Sequence, residues 1–263
     1  MRATLLIPTL NEAASIGHVL RLFRTAATAA NESVFRDDPV DWEVLVVDGV
    51  SSDGTAAIAE AEGARVVLEP RPGYGRAYRT GFESARGAII ATSDGDGTYP
   101  VETVPMLVKK VRDEPIDFLT GNRMAYLDRT AMTTEHRIGN SILNRFVNLA
   151  FYRYLRDLPG GRLMDSQSGF WVFRREILDR LRLTQDGMAF SEELKIEVIL
   201  RGARFLEVPI RYGERWGPPK LSSWRDGIRN LLFLLDKRFE VVRELRQNDA
   251  TPFANGRETH SPP

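Results

Sequence analysis

Along this chain, short unbroken apolar runs alternate with stretches in which apolar residues recur every three or four positions. That is the pattern of buried strands separated by amphipathic helices. Ala3–Pro8 reads as a first strand, and Glu12 to about Ala30 as a helix with Ile16, Val19, Leu20 and Phe23 on one face. Glu43–Asp48 is a second strand. Ser51-Ser52-Asp53-Gly54-Thr55 then supplies turn and cap residues for a short helix to Glu62. Ala64–Leu68, a helix over Gly75–Arg86, the strand Ala88–Ser93, a helix over Val101–Val111 and the strand Ile116–Thr120 continue the alternation. The pattern predicts an α/β fold: a mostly parallel central sheet flanked by helices, with ligands at the carboxyl ends of its strands.

Beyond Thr120 the rhythm changes. Thr134–Leu155 reads as one long helix and Phe190–Leu200 as another. Arg204–Val208 and Ile210–Tyr212 read as short strands around Pro209, and Trp224–Leu245 as a closing helix. The expected organisation is one domain over 1–221, an amphipathic helix over 222–246 and a disordered tail over 247–263. Met1–Leu10 is short and broken by Pro8, unlike a signal peptide, and Leu231–Leu235 is too short to span a bilayer.

Composition narrows the chemistry. Of 263 residues, 43% are hydrophobic, enough for a sizeable core. There is no cysteine, which excludes disulfides and thiolate metal sites. Any metal must use oxygen or one of His18, His136 and His260, which share no ligand spacing. The formal net charge is zero, but residues 1–120 carry an acidic excess and residues 121–246 an arginine-rich basic one. The basic half suits an anionic partner such as phosphate, a lipid headgroup or nucleic acid, although solvated helix faces explain part of it.

The centre of the chain is the end of the fourth strand, Ser93-Asp94-Gly95-Asp96-Gly97-Thr98-Tyr99-Pro100. Two carboxylates at i and i+2, released from regular geometry by glycines, can aim oxygens at one hard cation, Mg²⁺ or Mn²⁺, which would hold a diphosphate. A simple strand-closing turn explains the same residues about as well when the stretch is taken alone.

Four stretches in one order carry a family pattern: Ile7-Pro8-Thr9-Leu10-Asn11-Glu12, Val47-Asp48-Gly49 with Ser52-Asp53-Gly54-Thr55, Ser93–Pro100, and Asp165–Phe170. The chain resembles the family 2 glycosyltransferases of the GT-A fold, and within them the dolichyl- and polyprenyl-phosphate sugar synthases, from about Ala3 to Leu221. Pro72–Ala77 with Thr80-Gly81-Phe82, Gly121-Asn122-Arg123, and Arg215-Trp216-Gly217-Pro218-Pro219-Lys220-Leu221 add to the match. There are departures. The family's frequent glutamine in the metal loop falls at Thr98, leaving water or Thr98 to complete coordination, and Pro219 replaces the serine of the C-terminal signature. The two C-terminal membrane helices of many relatives are missing from this sequence. The Asp-Gly-Asp-Gly-Thr-Tyr form is closest to relatives using UDP-glucose rather than GDP-mannose.

The resemblance implies an inverting transfer of a hexose from a nucleotide-sugar to dolichyl or polyprenyl phosphate. Pro8, Thr9, Asn11, Glu12, Asp48, Asp94, Gly95 and Asp96 would bind the nucleotide-sugar, with Asp94 and Asp96 on Mg²⁺ or Mn²⁺. Arg123, Arg137 and Arg215 would act with Asp96 in catalysis by orienting the acceptor phosphate, since a guanidinium fork fits phosphate oxygens. Asp165, Gln167, Ser168 and Lys220 would complete the acceptor side. Asp53 is read as a turn and cap residue. Glu192 and Glu193, at a helix start, fit helix-dipole duty as well as catalysis. A lipid acceptor implies peripheral contact with the cytoplasmic face of the membrane, through Trp216, Trp224, Leu231, Leu232, Phe233 and Leu235 with the basic residues around them. Nucleic acid is not an expected partner, and the oligomeric state is open.

Two other enzyme readings compete. Asp94-Gly95-Asp96-Gly97-Thr98 also fits the nucleophile loop of haloacid-dehalogenase-like phosphohydrolases, with Asp94 attacking phosphate and Asp96 handling protons. That loop normally follows the first strand, whereas three βα units precede it here. A dinucleotide-binding oxidoreductase is weaker, because Gly73-Tyr74-Gly75-Arg76-Ala77-Tyr78 lacks the last glycine of the fingerprint and follows the wrong strand.

Overall fold

The structure, a computed structural model, describes residues 1–127, 134–216 and 223–247. A seven-stranded sheet forms its centre, in the order β3-β2-β1-β4-β6-β5-β7. The strands are β1 (Arg2–Thr9), β2 (Asp41–Asp48), β3 (Arg65–Leu68), β4 (Ile89–Thr92), β5 (Phe118–Leu127), β6 (Trp171–Arg174) and β7 (Phe205–Tyr212). All pair in parallel except β6, which runs antiparallel between β4 and β5. The helices are α1 (Ile16–Glu32), α2 (Thr55–Ala61), α3 (Tyr74–Ser84), α4 (Val104–Asp113), α5 (Thr134–Ala150), α6 (Tyr152–Leu155), α7 (Phe190–Leu200) and α8 (Ser223–Gln247).

Alternation along the strands builds two cores, one on each face. Leu5, Ile7, Val46, Ala91, Leu119 and Val172 pack under α1 and α4. Leu6, Leu45, Val47, Ile90, Phe118 and Trp171 point the other way, toward α3, α5, α7 and α8. Each fully buried Leu, Val or Phe contributes roughly 1.5–3 kcal/mol relative to exposure, so the two layers together fix the sheet between its helices.

Five features differ from the sequence expectation. Helix α1 begins at Ile16 because Glu12–Ser15 is spent on a turn, with the Ser15 and Ile16 amides donating to the Glu12 carbonyl at 3.1 and 2.9 Å. The expected single helix Thr134–Leu155 breaks at Phe151, whose backbone (φ −114°, ψ 18°) leaves helical geometry while its ring enters the core. The two strands expected around Pro209 are one strand, β7. It lies at the sheet edge, where a residue without an N–H is tolerated, and Pro209 pairs Asn122 beside a register irregularity. Strand β6 was not expected at all. Strand β5 also runs on past Thr120, so Gly121-Asn122-Arg123 belongs to a strand.

These choices place one rim. The carboxyl ends of β1, β2 and β4 and the prolonged end of β5 face the same way, and the reversed β6 brings its preceding loop to that rim. The order turns around between β1 and β4, which is where open α/β sheets bind ligands. A cavity of about 700 Å³ opens near the opposite ends of the strands, by Met1, Ala88, Ile89 and Arg174, and shares no residue with this rim.

Candidate active site

At the rim, the loop after β4 is held on three sides. Ser15 Oγ donates to the Gly95 carbonyl at 2.7 Å, tying the loop to the start of α1. A β-carbon on Gly95 would sit 3.0 Å from Thr9 Cγ2, and Gly97 has φ +80°, so both glycines are needed for this course. The Gly213 amide donates to the Thr98 carbonyl at 2.9 Å and the Trp216 amide to the Asp96 carbonyl at 3.0 Å, which lays the segment after β7 along the loop. Trp216 stacks on His18 with ring centroids 4.5 Å apart.

This lacing sets Arg215 over the carboxylates. Its Nη2 lies 2.6 Å from Asp96 Oδ2, and its Nη1 3.7 Å from Glu12 Oε1. The Asp96 contact is an ion pair by distance without hydrogen-bond alignment, so buried Oδ2 receives no directed donor. The other oxygen, Oδ1, accepts from the Thr98 amide at 3.0 Å and the Thr98 hydroxyl at 2.7 Å. Burial and the neighbouring Asp96 charge push the Asp94 carboxyl up to about 7, against the pull of Arg215 and Arg123. Two carboxylates crowding one place, one with a buried oxygen that has a charge beside it and no aligned hydrogen bond, fit a hard divalent cation. Among the described residues no three His, Asp or Glu side chains converge on one point.

On the β1–β2 side, Asp48 is buried and already engaged. Its Oδ2 accepts from Thr9 Oγ1 at 3.0 Å and Ser51 Oγ at 2.6 Å, and its Oδ1 from the Ser51 amide at 2.7 Å. Asn11, at φ 54°, donates its amide to Ser51 Oγ at 2.7 Å and accepts from the Ser52 amide at 2.9 Å. The Glu12 amide donates to Thr55 Oγ1 at 2.8 Å. Asp53 serves the turn: its Oδ1 accepts from Thr55 and its Oδ2 from the Ala13 amide at 3.0 Å. Pro8 and Thr9 form the end of β1 next to this network, in register with Val47 and Asp48.

Across the rim stands the second half of the site. Arg123 is buried on β5 and holds Asp165 with Nε at 2.8 Å from Oδ2 and Nη2 at 2.9 Å from Oδ1. Its guanidinium lies 5.3 Å from the centre of the Tyr212 ring. Burial pushes the Asp165 carboxyl up, but the Arg123 charge and hydrogen bonds outweigh it and hold the group at about 2. Gln167 donates to Glu192 Oε1 and accepts from Asn230 at 3.3 Å. Ser168 turns inward, its carbonyl accepting from the Trp171 indole at 2.8 Å. The halves meet where the Gly169 amide donates to Tyr99 Oη at 2.8 Å, Tyr99 being part of the carboxylate loop.

Arg137 stands exposed on α5, and Lys220 lies outside the described residues. Glu192 and Glu193 are both buried and make no cap hydrogen bond to their own helix. Glu193 instead accepts from the Thr184 amide and hydroxyl and the Gln185 amide, and burial pushes Glu192 up to about 8. Two residues were missed, Lys195 and Glu207. The signal for Lys195 lay in Phe190–Leu200, where charges at 192, 193, 195 and 197 spread over more than one face of the helix and cannot all face water.

Comparison with known proteins bears on this site. The family model described as glycosyl transferase family 2 matches residues 4–182. The low-salt glycan biosynthesis hexosyltransferase Agl6 of Haloferax volcanii is 32% identical over 88% of this chain. The match takes in 52% of that protein, so the chain spans about half of this relative's length. A dolichyl-phosphate hexose transferase of the same organism is 35% identical over 70% of this chain and 76% of its own. Among solved structures, the glucosyl-3-phosphoglycerate synthase of Mycobacterium tuberculosis, crystallised with Mn²⁺, UDP and glucosyl-3-phosphoglycerate, superposes with TM-score 0.65. It is 24% identical, over 89% of this chain and 79% of that one. The mannosyl-3-phosphoglycerate synthase of Rubrobacter xylanophilus gives TM-score 0.64 at 21% identity, over 100% of this chain and 79% of that one. These two likenesses show the shared fold.

Proposed function

The chain belongs to the family 2 glycosyltransferases, built on the GT-A fold, and from that membership we propose that it moves a hexose from a nucleotide-sugar to dolichyl or polyprenyl phosphate. Membership also removes the phosphohydrolase reading of Asp94. The observation that carries the proposal is the pairing, across the Tyr99–Gly169 hydrogen bond, of a carboxylate loop with the buried Arg123 guanidinium. One half suits a nucleoside diphosphate and the other a phosphate acceptor. The 35% identity to a dolichyl-phosphate hexose transferase supports a lipid phosphate in that role.

Donor binding falls to the β1–β2 side. Three of the lone-pair positions of Asp48 are taken by Thr9 and Ser51, which fixes the carboxylate and leaves Oδ1 room for one more donor, such as a ribose hydroxyl. Asp94 and Asp96 would hold Mg²⁺ or Mn²⁺, which when bound neutralises charge developing on the departing diphosphate. Arg215 adds a cation over the same carboxylates. On the acceptor side, Arg123 keeps N–H groups beyond those given to Asp165 for a phosphate. A phosphate monoester with a second pKa of about 6 is largely dianionic at neutral pH, so attack on the anomeric carbon needs no dedicated base. A single displacement inverts that carbon.

A lipid acceptor also calls for a surface. Helices α5 and α8 pack together and expose Ile142 and Leu149 on one, Leu232 and Phe239 on the other, among Arg145, Arg229 and Arg243. Leu231 and Phe233 are partly covered by packing, so the docking face is made by their neighbours. No helix among the described residues is long and apolar enough to cross a membrane, and this exposed face suits peripheral contact, which the proposal puts on the cytoplasmic side.

The test is transfer of radiolabelled sugar from UDP-glucose, UDP-N-acetylglucosamine and GDP-mannose to polyprenyl phosphate, and to 3-phosphoglycerate, with Mg²⁺ or Mn²⁺ and with a chelator. Labelled lipid from one donor, lost on chelation, is the expected result. Product on 3-phosphoglycerate alone would replace the lipid acceptor, and turnover indifferent to chelation would remove the metal.

A further inference from the structure

Lys195 sits in the middle of α7 with no solvent exposure at all. An ammonium in such a place is costly unless it is paired and hydrogen-bonded, and an apolar residue would fill the space without that cost. Its Nζ donates to the main-chain carbonyl of Asp165 at 2.6 Å. From β7, Glu207 takes the other polarity of the same segment, accepting from the amides of Met164 at 2.7 Å and Asp165 at 2.9 Å. Asn144 of α5 accepts from the Ser166 amide at 3.1 Å. The peptide groups around Asp165 are therefore held from three elements, while its carboxylate is held by Arg123 from a fourth.

We propose that Lys195 is a positioning residue for the acceptor phosphate. By pinning the Asp165 backbone and balancing the charges beneath it, it fixes where the free N–H groups of Arg123 point. The inference rests on the acceptor reading given above. Arg123 spends its Nε hydrogen and one on Nη2 on Asp165, which leaves the two on Nη1 and the second on Nη2 for phosphate oxygens. Their direction follows the Asp165 carboxylate, and the position of that carboxylate follows the loop that Lys195 and Glu207 grip.

Charge makes the same point. The groups facing Lys195 are Asp165 from its loop, Glu207 from β7, Arg123 from β5 and Glu192 from its own helix. Two cations and the two carboxylates of Asp165 and Glu207 balance, with Glu192 held neutral by burial at pH 7. Without the ammonium the cluster turns negative and repels an incoming dianion. Burial pulls Lys195 down to about 8, against the carboxylates around it, so the balance is lost within reach of ordinary buffers.

The experiment compares the wild type with Lys195→Met and Lys195→Arg, measuring KM for polyprenyl phosphate, kcat, and slow hydrolysis of the donor by water across pH 6.5–9.5. The wild-type acceptor KM is expected to rise through about pH 8. Lys195→Met should raise it about tenfold or more already at pH 7, the size of one charge-assisted contact, while donor hydrolysis persists. Lys195→Arg, charged throughout, should restore binding and lose the alkaline rise, whereas Glu192→Gln should keep that rise. If Lys195→Met does not fold, the Lys195→Arg profile decides: an alkaline rise unchanged from wild type overturns the proposal. So does a Lys195→Met enzyme with wild-type acceptor KM. Absence of transfer by the wild type, with donor hydrolysis intact, overturns the acceptor reading and this inference with it.

Discussion

Arg123 and Asp165 form a two-bond ion pair below the surface, with nitrogen–oxygen distances of 2.8 and 2.9 Å, and the same carboxylate accepts the Arg123 amide at 3.0 Å. Arg123 is thus a structural counter-ion, and on the proposed reading it is an acceptor ligand as well. Arg123→Ala leaves a buried carboxylate without its charge partner, at a cost of roughly 3–5 kcal/mol. Stability in urea and acceptor use should fall together. The double variant Arg123→Met with Asp165→Leu should recover much of the stability and none of the transfer. Recovery of both would show that the pair serves the fold alone.

The same pair predicts an acid limb. The Asp165 carboxyl is held at about 2, below its ordinary 3.8, so the unfolded chain takes up its proton first as pH falls. The stabilisation is complete above about pH 4 and is lost as pH falls through about 2. The shift corresponds to about 2 kcal/mol. Urea midpoints between pH 5 and pH 2.5 should drop more steeply for the wild type than for Asp165→Asn. Parallel curves would mean that Asp165 is not held low.

Asp96→Asn should abolish metal-dependent turnover while leaving the fold intact, since Thr98 can still donate to the amide oxygen that replaces Oδ1. Mn²⁺ should raise the melting temperature of the wild type, because a ligand that binds only the folded chain stabilises it. That rise should vanish in Asp96→Asn. In Arg215→Ala, where the competing guanidinium at 2.6 Å is gone, it should be larger. A Mn²⁺ shift surviving in Asp96→Asn would take Asp96 out of the metal site.

The exposed face of α5 and α8 gives a fourth expectation. Leu232 is 59% exposed and Phe239 67% exposed, so charging them costs the fold little. Leu232→Glu with Phe239→Glu should weaken cosedimentation with anionic vesicles by roughly tenfold or more, given 1.5–3 kcal/mol per buried apolar side chain. Donor hydrolysis should not change. Undiminished vesicle binding would place the contact elsewhere.

Much of the first half was legible from periodicity, because its strands are buried runs and its helices keep one apolar face. Strand β6 was missed because Trp171–Arg174 falls outside the regular strand–helix alternation of the first half and exists through pairing with β4 and β5. The break at Phe151 was hidden because an aromatic at that position suits a continuous helix equally well. Arg123 and Asp165 were both named from family motifs, but their pairing, 42 residues apart in the chain, is a product of topology. Lys195 matched no motif, and only its buried neighbours give it meaning.

The reversal of β6 has an evolutionary consequence. Because that strand starts at the rim, the stretch from Leu163 to Phe170 forms a panel of its own, tied to α5, α7, β5, β6 and β7 and taking no hydrogen bond from β1 or β2 among the described contacts. On the proposed reading, rewriting this panel changes the molecule that receives the sugar and leaves the β1–β2 half as it is. One donor-binding half can then serve a family whose members hand the sugar to quite different acceptors.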